Sequence, residues 1–160
     1  MIAEGSGPVV VTMNDQDDKV VNTSAWEALA RQVLVYEGVS DDAELNLTFI
    51  GSAEMAELNA QHMNKVGPTD VLSFPLEDDP LHAEPLNVEG QPRLLGDVLI
   101  RPQVVHTQAP NTPVEEMALM VVHGVLHILG MDHQVPEEAA VMRAAEQRHL
   151  TRWRQESSVS

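Results

Sequence analysis

The sequence predicts a single α+β domain in which a small mixed β-sheet packs against several helices. Three observations support this prediction. Segments typical of strands and of helices are intermixed along the chain, no internal repeat or linker separates them, and 160 residues can bury one sizeable core. We assign residues 1–160 to this one domain and expect residues 1–7 and 155–160 to be flexible. Residues 75–93 are rich in Asp, Glu, Pro and Gly, which predicts a long surface loop.

Short apolar segments predict four strands. Residues 8–13 are rich in β-branched side chains, and residues 43–50 alternate between apolar and polar, as a half-buried strand does. Residues 70–74 form a third apolar segment, which Pro75 ends, and residues 95–101 form a fourth.

Capping and stop residues predict the helices. A capping box at Ser24 begins one helix and Gly38 ends it, whereas Ser52 caps a second helix that reaches about residue 62. A third helix begins at Thr112 and Pro113, because threonine is a good cap and proline fits the first turn.

The third predicted helix ends at Gly130, because glycine readily adopts the left-handed conformation that closes a helix. The last predicted helix begins at Pro136 and reaches about Arg154.

The lack of cysteine excludes a disulfide framework and any thiolate metal site. No stretch reaches the length of a membrane span, and residues 1–7 lack the basic and apolar regions of a secretory leader. We therefore expect a cytoplasmic protein with no membrane partner.

Charge is distributed unevenly along the chain. The net charge of −16 normally argues against a nucleic-acid partner. However, residues 1–90 hold 17 acidic and 3 basic residues, whereas residues 91–160 hold 8 and 6. The last predicted helix carries four arginines: Arg143, Arg148, Arg152 and Arg154. They form either a solvated helix face, which is the commoner arrangement, or a basic rim near a functional site.

Residues 123–133 carry three histidines at the spacing H-x-x-x-H-x-x-G-x-x-H. His123 and His127 are four residues apart, so they share one helix face, and the turn at Gly130 lets His133 come back toward them. Three imidazoles suit one zinc ion and leave its fourth position for water, as in catalytic sites. The alternative is that each histidine is satisfied separately, as isolated histidines in apolar segments usually are.

Metalloproteases share this spacing, but their motif is H-E-x-x-H and its Glu is the general base. The corresponding residue here is Gly124, which has no side chain. The motif therefore favours a zinc hydrolase and disfavours a peptidase. Zinc can lower the pKa of a bound water to about 7 and polarise a phosphoryl oxygen, but the sequence identifies no general base.

The histidine segment and three others resemble the YbeY family of single-strand-specific endoribonucleases, also called rRNA maturation factors. Residues 68–75 read P-T-D-V-L-S-F-P and residues 95–98 read L-G-D-V, as in that family. Residues 142–146 fit its M-x-x-x-E pattern. The similarity extends over about residues 58–146.

This resemblance implies a zincin-like fold and one zinc ion held by His123, His127 and His133. It also implies hydrolysis of RNA phosphodiester bonds in rRNA maturation and ribosome quality control, with association to the small ribosomal subunit. The competing hypothesis is a ribosome-assembly binding protein with a mainly structural zinc and little catalysis. The negative charge favours that hypothesis, and the open fourth position of the metal disfavours it.

In addition to the metal ligands, the sequence suggests further site residues. Many family members have an Arg where this chain has Met63, and Lys65 could replace it as a cation for phosphate or for catalysis. Asp70 and Ser73 could line the cleft or orient a zinc ligand, although Asp70 could equally cap a turn. Arg143 is a candidate substrate contact.

Overall fold

The computed structural model describes the greater part of the chain in several ranges. These are residues 8–15, 23–51, 57, 60, 71–76, 93–102, 113–131 and 134–159. Within them the structure contains four strands and three helices, in the order β1 (Val9–Asp15), α1 (Thr23–Tyr36), β2 (Ala43–Ile50), β3 (Val71–Pro75), β4 (Arg93–Ile100), α2 (Pro113–Ile128) and α3 (Pro136–Val159). The predicted α+β class with a small mixed sheet is confirmed. The helix predicted from Ser52 lies mostly outside the described residues.

The sheet has the strand order β1-β2-β4-β3. β2 runs parallel to both β1 and β4, whereas β3 runs antiparallel to β4. β4 is therefore an interior strand, although it is the last of the described strands along the chain. Asp97 lies in this strand, half-buried, between Asn46 of β2 and Phe74 of β3. Asp97 is therefore not an edge residue of the sheet.

One face of the sheet carries the core. β2 alternates between buried and half-buried side chains, and its buried set packs with the apolar side of α1 and α2. α2 contacts α1, α3, β3 and β4 and so lies at the centre of the fold. Burial of each large apolar side chain contributes roughly 1.5–3 kcal/mol relative to exposure. Fully buried examples are Leu47, Phe49, Val98, Ile100 and Leu126.

α2 ends as the sequence predicts. Its last regular residue is Ile128, and Gly130 follows with a φ of 99°, in the left-handed region. The Met131 N–H donates to the carbonyl of Leu126 and the Gly130 N–H donates to that of His127, both at 3.1 Å. These bonds satisfy carbonyl groups that a helix end leaves open.

α3 is longer than expected, because it continues to Val159 instead of ending near Arg154. No glycine or proline follows Arg154, so nothing local stops the helix. Within the ranges given above, no helix is both long enough and apolar enough to cross a bilayer.

Candidate metal centre

α2 is buried over most of its surface but leaves one stripe more open. His123 and His127 lie on this stripe, with ring centroids 6.1 Å apart and ring planes tilted by 38°. The side chain of His123 is 28% exposed, so a ligand from solvent can reach this part of the helix. The stripe continues toward the start of the helix through Glu115, Glu116 and Leu119.

Both histidines are held through the same ring nitrogen. The Nδ1 atom of His123 donates to Oε2 of Glu146 at 2.9 Å, and that of His127 donates to the carbonyl of Met131 at 2.7 Å. Carboxylate and carbonyl oxygens only accept, so each neutral ring carries its hydrogen on Nδ1 and its lone pair on Nε2. Metal-binding histidines show this arrangement, in which an outer partner fixes the tautomer and the ring orientation. The chemistry of this donor pair therefore fits zinc.

Glu146 lies on the buried side of α3. In the sequence it is noticeable first as part of a family pattern. A second signal was present, because an acid at this position interrupts a helix face of otherwise buried residues, among them Met142, Ala145 and Leu150. A buried carboxylate needs a partner. Here that partner is a histidine of α2.

Gly124 faces the sheet rather than the open stripe. A Cβ atom at this position would lie 2.6 Å from Cγ1 of Val98 and 3.2 Å from Cγ2 of Val71. The glycine thus allows α2 to approach β3 and β4 closely. A glutamate here would be forced into the sheet, which gives a structural reason why this position supplies no general base.

Ser73 forms a hydrogen bond at the same contact between α2 and the sheet. Its Oγ donates to the carbonyl of Gly124 at 3.0 Å. The hydroxyl therefore ties β3 to the backbone between the two histidines. Its predicted role toward substrate or a zinc ligand stays a prediction.

The remaining predicted site residues lie outside the described residues. They are His133, Lys65, Asp70 and Met63. Among the residues that are described, no group of three His, Asp or Glu side chains converges as a metal site. The third zinc ligand therefore stays a prediction. Arg143 is described and lies exposed on α3, three residues before Glu146.

Within the α+β fold, the pair of oriented imidazoles fits a metal ion. The chain belongs to the family described as endoribonuclease YbeY, whose model matches residues 11–154. The family predicted from the sequence is thereby confirmed, and with it the class of RNA-cleaving hydrolases.

Individual relatives agree with this assignment. An endoribonuclease YbeY of Salinispora tropica is 41% identical over 140 residues, covering 84% of this chain and 89% of that protein. The corresponding protein of Mycolicibacterium gilvum is 38% identical over 136 residues, covering 83% and 76%. The solution structure of TM1509 from Thermotoga maritima matches with a TM-score of 0.56 and 23% identity, covering 94% of this chain and 95% of that one. That last similarity supports the fold alone.

Proposed function

We propose that this chain is a zinc-dependent endoribonuclease that cleaves single-stranded RNA. We further propose that it acts in the cytoplasm, in rRNA maturation and ribosome quality control, in association with the small ribosomal subunit. Endoribonuclease activity is what the names of the relatives state. The zinc ion, the rRNA substrate and the ribosomal partner go beyond those names and are our proposals for this chain.

The observation that carries the proposal is the shared orientation of His123 and His127. Two independent acceptors, one from α3 and one from the turn after α2, fix the same tautomer in both rings. With His133 as third ligand, these side chains would hold one zinc ion. When bound, zinc supplies Lewis acidity toward water and a phosphoryl oxygen.

Arg143 supports an RNA phosphate contact at this site. Arg143 and Arg154 are 11 residues apart, which is about three helical turns, so they share one side of α3. Arg154 pairs with Glu115 of α2 at 2.9 Å, which identifies that side as the one facing α2. Arg143 is thus next to the part of α3 that contacts His123. Its guanidinium group suits two-point binding of a phosphate.

Lys65, Asp70 and Ser73 keep their predicted roles as further catalytic or substrate contacts. If Lys65 replaces the arginine that many relatives have, Lys65→Ala weakens RNA affinity and its salt dependence, whereas Met63→Arg strengthens both. Unchanged affinity and salt slope in both variants would show that neither position contributes to RNA binding.

The second candidate function is a ribosome-assembly protein with a mainly structural zinc. The net charge of −16 favours it, because such a chain is repelled by RNA and is attracted to basic proteins. The 28% exposure of the His123 side chain favours catalysis instead, since structural zinc sites are closed to solvent.

Turnover on single-stranded RNA decides between the two functions. Cleavage is measured with zinc-loaded protein, with protein stripped by a chelator, and after zinc is restored. The nuclease hypothesis predicts cleavage that is lost with zinc, is regained with it and is absent in His127→Ala. The same weak cleavage in all samples would contradict the nuclease hypothesis and favour the ribosome-assembly protein.

Arg143 can be tested within the same assay. Arg143→Gln should raise KM for a short oligonucleotide about tenfold, because one charge-assisted phosphate contact is lost. Arg148→Gln is the matched control, since it removes the same charge from the other side of α3. Equal effects of the two changes would show that general charge, rather than a contact at the site, is responsible.

A further inference from the structure

A second polar cluster joins the end of α1 to the second half of α3, away from the histidine pair of α2. The His149 side chain is only 2% exposed, and its Nε2 lies 2.7 Å from Oε2 of Glu37. The Nη2 atom of Arg152 donates to Nδ1 of the same ring. Nδ1 is therefore the acceptor, and Nε2 donates to the carboxylate. Both ring nitrogens of His149 are hydrogen-bonded, so the ring is fixed and in turn holds Arg152 in one position.

Arg152 in turn lies over an exposed aromatic ring. Its guanidinium carbon is 3.6 Å from the ring centroid of Tyr36, well within the range of a cation–π contact. Tyr36 is the one tyrosine of the chain and is 54% exposed. The exposed Tyr36 ring, backed by a half-buried arginine that His149 holds in place, offers a rigid stacking surface.

A shallow cavity of about 420 Å³ begins at the same arginine. Its described lining contains two guanidinium groups, two amides, one hydroxyl and no carboxylate. The lining residues are Ala144, Gln147, Arg148, Thr151, Arg152 and Gln155. In a chain with 25 acidic and 9 basic residues, this part of α3 is locally basic. Arg148 makes no ion pair within the part of the chain that the structure describes.

We propose that this surface is a second binding site for single-stranded RNA, separate from the histidine cleft. A nucleobase would stack on Tyr36 and Arg152, and the adjoining phosphate would contact Arg148. Proteins that bind single strands without sequence preference combine these two elements, an aromatic platform and a cationic groove. We call the surface formed by Tyr36, Arg148 and Arg152 the Tyr36 and Arg148 surface.

The position of the site gives it a distinct role. Arg148 follows Glu146 by two residues, which is about 200° around α3, so the Tyr36 and Arg148 surface lies on the far side of the helix from His123. A short oligonucleotide in the cleft does not reach it. A longer strand can occupy both sites, which raises affinity through effective concentration without any change in chemistry. The inference shares its RNA ligand with the proposed function but does not require cleavage.

Binding of long and short RNA by zinc-stripped protein tests the inference. Tyr36→Leu should weaken binding of a strand of about 20 nucleotides roughly tenfold, because one stacked base is lost. Tyr36→Phe is the matched control and should bind like the parent protein, since it keeps the ring. Arg148→Gln should weaken long-strand binding and lower its salt slope, whereas Arg148→Lys should keep both. Binding of a trinucleotide should be unchanged in all four variants.

Two results would overturn the inference. One is equal binding of the long strand by Tyr36→Leu and Tyr36→Phe. The other is a photo-crosslink map with thiouridine-labelled RNA in which no adduct falls on α1 or α3 near Tyr36. Cleavage of the short oligonucleotide by zinc-loaded protein is measured alongside. If that cleavage persists while the Tyr36 variants bind equally, the proposal of a second site is wrong and the nuclease proposal is supported. If cleavage is absent but the Tyr36 effect is present, the nuclease proposal fails alone.

Discussion

The Nδ1 atom of His123 and the Oε2 atom of Glu146 lie 2.9 Å apart across the contact between α2 and α3. The two residues are 23 positions apart in the chain. The orientation of a candidate metal ligand on one helix thus depends on a carboxylate of the next. Packing of α3 against α2 therefore sets the geometry of the site as well as the stability of the domain.

Replacement of Glu146 by glutamine should weaken zinc binding without unfolding the protein. The amide oxygen still accepts from the ring, but the negative charge that raises the basicity of the imidazole is lost. Changes in such outer partners typically cost about 10–100-fold in metal affinity. A competition titration with a chromogenic chelator measures the change. Glu156→Gln, at an exposed position of the same helix, is the control, and equal affinities in the two variants would contradict a positioning role.

Replacement of His127 by alanine should abolish zinc binding and remove the stabilisation that zinc provides. Metal that binds only the folded chain raises its stability by mass action, so the parent protein should melt at a higher temperature with zinc than with chelator. His127→Ala should melt at one temperature in both conditions. Elemental analysis provides the second measurement. One equivalent of zinc retained by the variant would rule out His127 as a ligand.

Replacement of Gly124 by alanine should destabilise the fold by about 1–2 kcal/mol. Alanine gains up to about 1 kcal/mol in helix propensity, but overpacking a dense core costs about 1–3 kcal/mol. We expect overpacking to prevail, because the nearest neighbour is Cγ1 of Val98, a fully buried and β-branched strand residue. Denaturant unfolding of chelated protein measures the difference.

A double-mutant cycle provides the control for this prediction. Val98→Ala removes the methyl group that the new Cβ would meet, so Gly124→Ala should cost less in that background. Strictly additive free energies of unfolding would show that the close contact is not the cause.

Acidification below pH 6.5 should destabilise the protein through His149. Burial lowers the pKa of His149 below its ordinary value of 6.5, the hydrogen bond to Glu37 opposes this shift, and the charges of Arg152 and Arg148 reinforce it. Below pH 6.5 the unfolded chain takes up a proton that the folded chain does not. The stability contributed by neutral His149 is therefore fully present above pH 6.5 and is lost as the pH falls toward its lowered pKa.

His149→Gln isolates this contribution. The glutamine amide can donate to Glu37 and accept from Arg152, but it does not titrate. The parent protein should therefore lose more unfolding free energy than the variant between pH 7.5 and 5.5, measured in urea with a chelator present. Parallel losses in both proteins would assign the pH dependence to other groups.

The sequence predicts local structure well where one residue type decides it. Gly130 marks the end of α2, Pro136 marks the start of α3, and the alternation over residues 43–50 matches β2 in full. In each case the signal is backbone geometry or a two-residue periodicity, which neighbouring residues already determine.

Relationships across long separations were not predictable in the same way. Nothing near Glu146 in the sequence indicates that it contacts His123, and nothing near His149 indicates its partners Glu37 and Arg152. These contacts depend on how α3 packs against α1 and α2. The order of the strands likewise depends on long-range packing, since β4 pairs with β2 across more than 40 intervening residues.

The interior position of β4 has a consequence for the order of assembly during synthesis. β2 and β3 leave the ribosome before β4, yet the two are not neighbours in the sheet, and among the described strands β3 pairs with β4 alone. A nascent chain that stops short of residue 93 can form the parallel β1–α1–β2 unit, but β3 then has no strand to join. α2 and α3 follow β4, so the helices that carry His123, His127 and Glu146 dock last, onto a finished sheet. The hydrogen bond between His123 and Glu146, which would orient the proposed zinc ligand, therefore forms only after Glu146 has left the exit tunnel.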